Sequence, residues 1–68
     1  MKVKFLQPVA NIEAIHGVKS SHHYLNFHEG QIIKPIGVSD DLFAPELVII
    51  TYRGYIFTIN RNLVEIHP

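Results

Sequence analysis

The chain has 68 residues, of which 47% are hydrophobic and 18% are charged, and it contains no cysteine. This length fits a single domain over residues 1–68, and the composition is that of a folded domain rather than a disordered one. Without cysteine, neither disulfides nor thiolate metal sites can support so small a core. Six Lys and Arg balance six Asp and Glu, which argues against a generic polyanion-binding protein with a basic excess.

The localisation of the chain is predicted from two further observations. No apolar stretch is as long as a transmembrane helix, and the N-terminus has only a short, interrupted apolar run, unlike a secretory signal. The start at Met1 predicts a complete small reading frame. We therefore expect a cytoplasmic protein that does not bind a membrane.

The first predicted element is a short strand near the N-terminus. Val3 and Phe5 alternate with Lys2 and Lys4 there, and this two-residue period is typical of a half-buried strand. Pro8 ends the strand because proline has no N–H to donate to a ladder.

Residues 7–24 form the long segment that follows. Val9, Ile12, Ile15 and Val18 recur at every third position, which weakly indicates a helix. Their β-branched side chains, a proline and a glycine oppose a helix. We therefore expect a long, partly ordered loop or irregular hairpin whose apolar residues pack on the core.

The middle of the chain is predicted to contain a turn, a bent strand and a loop. Residues 24–27 alternate as a strand does, and residues 28–30 form a turn because the last of them is a glycine, which readily takes positive φ. Residues 31–38 form the next strand. We expect this strand to lie at an edge or to bend at Pro35, which removes a ladder donor. Residues 39–45, with two Asp and a Pro, form the loop.

The C-terminal part is predicted to be a β-meander. Residues 47–52 are β-branched and almost entirely apolar, which is typical of a buried strand. Residues 53–54 make a two-residue hairpin turn and residues 55–59 return. A tight or 3₁₀ turn over residues 60–62 precedes a last strand over residues 63–66. The whole pattern predicts an all-β fold of five short strands.

Two motifs resemble SH3 domains. Residues 25–33, LNFHEGQII, resemble the diverging turn of that family, and residues 59–66, INRNLVEI, resemble its 3₁₀ turn and last strand. The order of predicted elements over residues 2–66 is also similar. The resemblance implies a five-stranded SH3-like barrel with a long first loop and a 3₁₀ turn before the last strand. It also implies that Leu25 and Phe27 point into the core.

The peptide-binding groove of SH3 domains is not retained. That groove is lined by aromatic residues and receives a polyproline II helix. The chain has no Trp, Asn60 stands in place of the motif's proline, and Leu63 stands in place of its groove tyrosine. The acidic strip of the long loop is reduced to Glu13. The chain is similar to small SH3-like proteins of bacteria and their prophages that have such a reduced groove.

Candidate catalytic and metal-ligating groups are few. His16, His22, His23 and His28 are close in sequence. Adjacent residues of an extended chain point to opposite faces, so we expect exposed histidines rather than a metal site. A barrel of this size has little interior space for a deep catalytic pocket. We predict no catalytic residue, no metal and no cofactor.

We expect a non-catalytic protein that binds a protein partner through the long loop and the loop over residues 39–45. Phe43 is either an anchor for this partner or tucked against the edge of the core, and we expect the tucked position. The apolar run over residues 47–50 needs cover on both faces, and a partner or a second copy in a homodimer could supply it. The candidate contact residues are Tyr24, His22, Asp41, Phe43 and Asn60.

The alternative is a nucleic-acid-associated accessory protein. Small barrels bind nucleic acid through basic and aromatic surfaces, and such binding weakens steeply with salt. This alternative requires that five cations form one continuous patch, with a tyrosine for stacking. The candidate patch consists of Lys2, Lys4, Lys34, Arg53 and Arg61, with Tyr24, Tyr52 or Tyr55.

Overall fold

The computed structural model describes residues 1–17 and 21–68, and this part of the chain confirms the all-β prediction. No helix in these residues is long and apolar enough to span a membrane. A 3₁₀ turn (Arg61–Leu63) precedes the last of eight described strands: β1 (Lys2–Phe5), β2 (Val9–His16), β3 (Ser21–Phe27), β4 (Ile32–Ile33), β5 (Gly37–Asp40), β6 (Leu47–Tyr52), β7 (Tyr55–Asn60) and β8 (Val64–His67).

The strands form two antiparallel sheets. The smaller sheet has the order β4-β1-β8, and the larger sheet has the order β3-β2-β7-β6-β5. Neither sheet closes on itself within the described residues, so the predicted five-stranded barrel is not confirmed. The number of strands differs for two reasons. The long segment after β1 forms strands of its own, and the strand predicted over residues 31–38 is divided in two.

The long segment after β1 is an irregular hairpin. β2 and β3 pair along it with a register shift between Val9 and Ile12. Asn11 lies in this shift at φ 57°, a left-handed conformation that asparagine tolerates better than most residues. Its N–H donates to Asn26 Oδ1 at 2.9 Å. The hairpin form of the segment is thus confirmed, and its irregularity has a local cause.

The apolar residues of this hairpin do not all face the core. Val9 and Ile12 pack against it as expected. The prediction is wrong for Ile15, which is 45% exposed, because neighbouring residues of a strand face opposite sides and Ala14 is the buried one. The prediction for Val18 lies outside the described residues.

The turn after β3 and the bend at Pro35 separate the two sheets. Gly30 has φ 79°, and its N–H donates to Phe5 O at 2.7 Å, which ties the turn to the end of β1. β4 then pairs with β1, whereas β5 pairs with β6. The buried Pro35 lies between β4 and β5. The chain thus passes from the smaller sheet to the larger one over residues 34–36, and the predicted bend is confirmed.

β6 and β7 form a regular hairpin without a register shift. The two turn residues, Arg53 and Gly54, have φ of 50° and 81°, as a two-residue turn of the favoured type requires. At the other end of the hairpin, the Asn60 side chain accepts from the N–H of Asn62 at 2.9 Å. This hydrogen bond begins the 3₁₀ turn that leads into β8.

One apolar core joins the two sheets. Phe5 stacks on Phe27 with ring centroids 4.2 Å apart, and the ring centroids of Phe27 and Phe57 are 5.7 Å apart. The inward orientation predicted for Phe27 is confirmed, and Leu25 packs at the margin of the core. Burial of this apolar surface is the main source of stability in so small a domain. The buried residues are Val3, Phe5, Ala14, Phe27, Ile33, Val48, Ile50, Phe57, Ile59 and Val64.

Candidate functional site

The loop between β5 and β6 presents two apolar side chains to solvent. Leu42 is 90% exposed and Phe43 is 98% exposed, so the prediction that Phe43 is tucked against the core is wrong. The physical reason is the carboxylate of Asp41. It accepts the N–H groups of Phe43 at 2.9 Å and Ala44 at 3.2 Å, and this turn carries the two apolar side chains away from the core.

Arg61 holds this loop from the side of the 3₁₀ turn. Its Nε donates to Pro45 O at 3.0 Å, and its Nη2 donates to Asp40 Oδ1 at 2.8 Å. Its backbone N–H donates to Glu46 O at 2.9 Å. A loop fixed by these bonds loses little conformational freedom when it meets a partner, which favours binding.

The loop is acidic as well as apolar. Residues 40–46 carry three carboxylates, and one of them pairs with Arg61. Three negative charges and one positive charge leave a net charge of −2 at this end of the molecule. We call residues 40–46 the acidic apolar loop.

A groove of about 420 Å³ lies near the opposite end of β6, where residues of the smaller sheet approach the β6–β7 turn. Ile36 is 82% exposed there, and the guanidinium of Arg53 lies 5.3 Å from the centre of the Tyr52 ring, within the range of a cation–π interaction. We call this the basic groove, and its lining residues are Ile32, Ile33, Lys34, Ile36, Tyr52 and Arg53.

Four of the five cations predicted as a nucleic-acid patch lie on the side of this groove. Lys34 and Arg53 line it, and Lys4 pairs with Ile32 across the β1–β4 ladder. Lys2 lies on the same face of β1, because residues two apart in a strand share a face. Among residues 1–17 and 21–68, neither Lys34 nor Arg53 forms an ion pair.

Arg61 does not join the other four cations. Arg61 follows the Asn60 end of the β6–β7 hairpin, whereas Arg53 lies at the turn. The hairpin separates them by about 16 Å at the usual rise of about 3.3 Å per residue. Arg61 is also engaged by Asp40 and Pro45. The five cations therefore do not form the continuous patch that the sequence suggested.

The five predicted contact residues divide into two groups. Asp41, Phe43 and Asn60 lie together, since Asn60 pairs with the first residue of β6 directly after the acidic apolar loop. His22 and Tyr24 lie on β3, at the edge of the larger sheet, and β2 and β7 stand between β3 and β6. The described residues of the two predicted loops therefore do not form one contact surface.

The outer face of the larger sheet is partly apolar. Tyr24 is 65% exposed, and Ile15 and Ile56 pair with each other on β2 and β7 as exposed residues. In the run over residues 47–50, Val48 and Ile50 are buried while the other two are half-buried. The outer face thus needs less cover from a partner than the unbroken apolar run indicated.

Three rings meet at the inner face of the larger sheet, beyond the core. The ring of Tyr55 lies edge-to-face with the rings of His16 and His23, and its centroid is 5.2 Å from that of His16 and 5.3 Å from that of His23. Ser21 Oγ lies 3.0 Å from His23 Nε2, and His22 pairs instead with Glu13 at 2.6 Å. These residues form no group of three metal ligands within the described residues, and no carboxylate there hydrogen-bonds to His16 or His23. The cluster packs the end of the sheet.

Leu42, Ile32 and Ile36 are exposed, although none of them was predicted to be a surface residue. The exposure of Leu42 could have been predicted. Leu42 and Phe43 are adjacent apolar residues in a loop between Asp41 and Pro45, and they lack the alternation of apolar and polar residues that a strand requires. No comparable signal marked Ile32 and Ile36, which have the composition of an ordinary strand. Their exposure follows from the short length of β4 and the break after it.

No family model matches the chain, and neither a curated protein nor a solved structure matches it significantly. The acidic apolar loop and the basic groove are therefore the two surfaces that can indicate a function.

Proposed function

We propose that the protein is a non-catalytic binding module that docks a protein partner through the acidic apolar loop. The observation that carries this proposal is the exposure of Leu42 and Phe43, 90% and 98%, on a loop fixed by Asp41 and Arg61. Large apolar side chains on a rigid surface loop are typical anchors of protein interfaces, because burying them against a partner removes them from water.

The SH3-like barrel belongs to this proposal. It is supported by the order of elements: a first strand, a long hairpin, a turn at Gly30, a meander, a 3₁₀ turn and a last strand. The positions of Leu25 and Phe27 at the core support it as well. The proposal includes a cytoplasmic location, and the resemblance in sequence supports an accessory role in a bacterium or prophage.

The test is a double variant that removes both anchors, Leu42→Ser with Phe43→Ser. The matched control removes two exposed apolar side chains elsewhere, Ile15→Thr with Ile56→Thr. Partners captured from an extract of the source cells are quantified for each form, and the Kd of a purified partner is then measured. We expect the loop variant to raise this Kd by about tenfold or more, as loss of a central anchor does, and the control to leave it unchanged.

Two results would contradict the proposed function. In the first, no captured protein depends on Leu42 and Phe43. In the second, the control variant weakens binding as much as the loop variant, which would place the interface on the outer face of the larger sheet. Thermal unfolding of the loop variant should match the wild type, since Leu42 and Phe43 are 90% and 98% exposed, whereas the control, whose side chains are 45% and 42% exposed, should lose some stability but remain folded.

A second candidate function is the binding of single-stranded nucleic acid at the basic groove. The observation that favours it is the grouping of Lys34, Arg53 and Lys4 near the ring of Tyr52. Phosphates would contact the cations and a base would stack on the ring. Titration with a labelled oligonucleotide tests it: binding should weaken with salt and be lost in Lys34→Glu with Arg53→Glu. No binding at low salt would remove this candidate.

A further inference from the structure

The acidic apolar loop and the basic groove are complementary in charge and in polarity. The loop presents Leu42 and Phe43 among carboxylates, with a net charge of −2. The groove presents an apolar floor that includes the exposed Ile32 and Ile36 and the half-buried Tyr52, together with Lys34 and Arg53. Each surface thus has an apolar centre with charges of one sign beside it, and the signs are opposite.

The two surfaces cannot meet within one copy of the chain. The loop leads into β6 at Leu47, and Tyr52 at the far end of the same strand lines the groove. β6 has six residues, so its two ends, and with them the two surfaces, are about 16 Å apart at the usual rise per residue. The negative charge of the loop and the cations Lys34 and Arg53 of the groove thus lie on separate surfaces of a neutral chain, and the carboxylate of Glu65 lies opposite Lys4 on the β1–β8 ladder.

We propose that the basic groove of one copy receives the acidic apolar loop of a second copy. Phe43 and Leu42 enter the groove against Tyr52 and the isoleucines, and the carboxylates of Asp41 and Glu46 face Lys34 and Arg53. This inference rests on the proposed function, because it names the partner of the same loop. The groove has a volume of about 420 Å³ and is open to solvent, so a side chain of a second copy can enter it without rearrangement of the chain.

The apolar floor of the groove favours this occupant over nucleic acid. Its exposed isoleucines, Ile32 and Ile36, bury an apolar side chain well, and its one aromatic ring, that of Tyr52, already has the Arg53 guanidinium 5.3 Å from its centre. The two cations at its border suit two carboxylates as well as they suit phosphates.

The conformation of Arg53 is a separate observation that supports a binding role at the groove. Arg53 has φ 50°, in the left-handed region, where Asn, Asp or Gly is the usual residue of such a turn. A residue held in a disfavoured conformation is often one that the function requires. The long guanidinium side chain reaches Tyr52 and the groove, which a shorter turn residue would not do.

The proposed contact is heterologous, since the loop and the groove are different surfaces. Each added copy leaves one free loop and one free groove, so the contact repeats and gives a ring or a filament rather than a symmetric dimer. The interface is small, and we therefore expect association that depends on concentration and weakens with salt.

The experiment uses two variants, each of which removes one surface. The loop variant is Leu42→Ser with Phe43→Ser, and the groove variant is Lys34→Glu with Arg53→Glu. Sedimentation velocity is recorded for the wild type, for each variant alone and for their equimolar mixture, over a range of concentrations at low salt. Amide NMR spectra confirm that both variants are folded, which is expected because the replaced side chains are exposed.

We expect the wild type to form species larger than a dimer as its concentration rises, while each variant alone stays monomeric. The mixture should form a 1:1 dimer and nothing larger. The loop variant keeps an intact groove and the groove variant keeps an intact loop, so the two can pair once, and the pair has no intact surface left to bind a third copy. The Kd of this dimer should agree with that of the wild-type contact within about threefold, since the same interface is formed.

Three results would overturn self-association through these surfaces. They are a wild type that stays monomeric at the highest concentration, a variant that still associates alone, and a mixture that forms no dimer although the wild type assembles. If the wild type is monomeric but another protein binds through Leu42 and Phe43, the proposed function stands and this inference fails. If neither the chain nor any captured protein depends on these residues, both fail.

Discussion

Arg53 and Arg61 lie at opposite ends of the β6–β7 hairpin and make very different contacts. Arg61 donates from its side chain to Pro45 O, Asp40 Oδ1 and Leu47 O, at distances of 2.8 to 3.5 Å. Arg53 lies over the Tyr52 ring and forms no side-chain hydrogen bond within the part of the chain that is described. In sequence both are exposed arginines in turns. The acceptors that the fold places nearby decide whether such a residue fixes a loop or stays free for a ligand.

The two ends of the hairpin also differ in what fixes the backbone. At the loop end, side-chain hydrogen bonds from Asp41 and Arg61 hold the chain. At the turn end, backbone conformation does so, because Arg53 and Gly54 both have positive φ. Substitutions at the turn end should therefore act through strain, and substitutions at the loop end through lost hydrogen bonds.

The largest expected effect is that of Gly54→Ala at the turn end. Gly54 has φ 81°, and an added Cβ would lie 3.1 Å from His16 Nε2. Left-handed conformation costs an L-residue about 1–2 kcal/mol, and the close approach to His16 adds to this cost. We expect a loss of about 2 kcal/mol of unfolding free energy in urea denaturation.

Gly37→Ala is the matched control for this prediction. Its φ is not in the left-handed region and an added Cβ meets nothing within 4 Å. The change in unfolding free energy should stay within about 0.5 kcal/mol. Equal losses in the two variants would show that the turn geometry does not limit stability.

Features that depend on neighbouring residues could be predicted from the sequence. The turn at Gly30 follows from the φ that only glycine takes easily, and the break near Pro35 follows from its missing N–H. The hairpin turn at residues 53–54 follows from its length and its glycine. The inward orientation of Phe27 was implied by the resemblance of residues 25–33 to the diverging turn of SH3 domains.

Features that depend on distant residues could not be predicted in this way. Hydrophobicity alone places Phe43 against the core, but the Asp41 carboxylate and the guanidinium of Arg61 keep the loop turned outward. The basic groove is made by residues 32–36 and 52–53, which the sheets bring together across a gap in sequence. The sequence likewise suggested that Arg61 joins the other cations in one patch. The structure places Arg61 at the opposite end of the β6–β7 hairpin from Arg53, and the length of this hairpin could not be related to the other cations from sequence.

The second prediction concerns the loop end. Arg61→Ala removes hydrogen bonds to Pro45 O and Asp40 Oδ1. Because the Arg61–Asp40 pair is exposed, most of the expected loss, about 1 kcal/mol of unfolding free energy, comes from the backbone acceptor. Amide hydrogen exchange of Ala44 and Leu47, whose N–H groups bond within this loop, should become faster. Unchanged exchange at both amides would mean that Asp41 alone fixes the loop.

Arg61→Lys sharpens the same test. A lysine keeps the positive charge but has a single ammonium group, which cannot reproduce the Nε and Nη2 geometry that joins Pro45 to Asp40. Exchange at Ala44 and Leu47 should therefore stay closer to that of Arg61→Ala than to the wild type. Full recovery by lysine would show that charge, rather than the fork of donors, holds the loop.

The smallest effect is expected for Arg53→Asn, and its sign is opposite to those above. Asparagine tolerates positive φ at this turn position, which we expect to relieve about 1 kcal/mol of strain, while loss of the exposed cation–π contact with Tyr52 costs about 0.5 kcal/mol. The net gain of about 0.5 kcal/mol is measured by urea denaturation. Arg53→Lys, which keeps the charge and the strain, should show no gain. If the asparagine variant is more stable yet associates less, Arg53 occupies this turn for binding, because replacing a residue kept for stability alone would not raise stability.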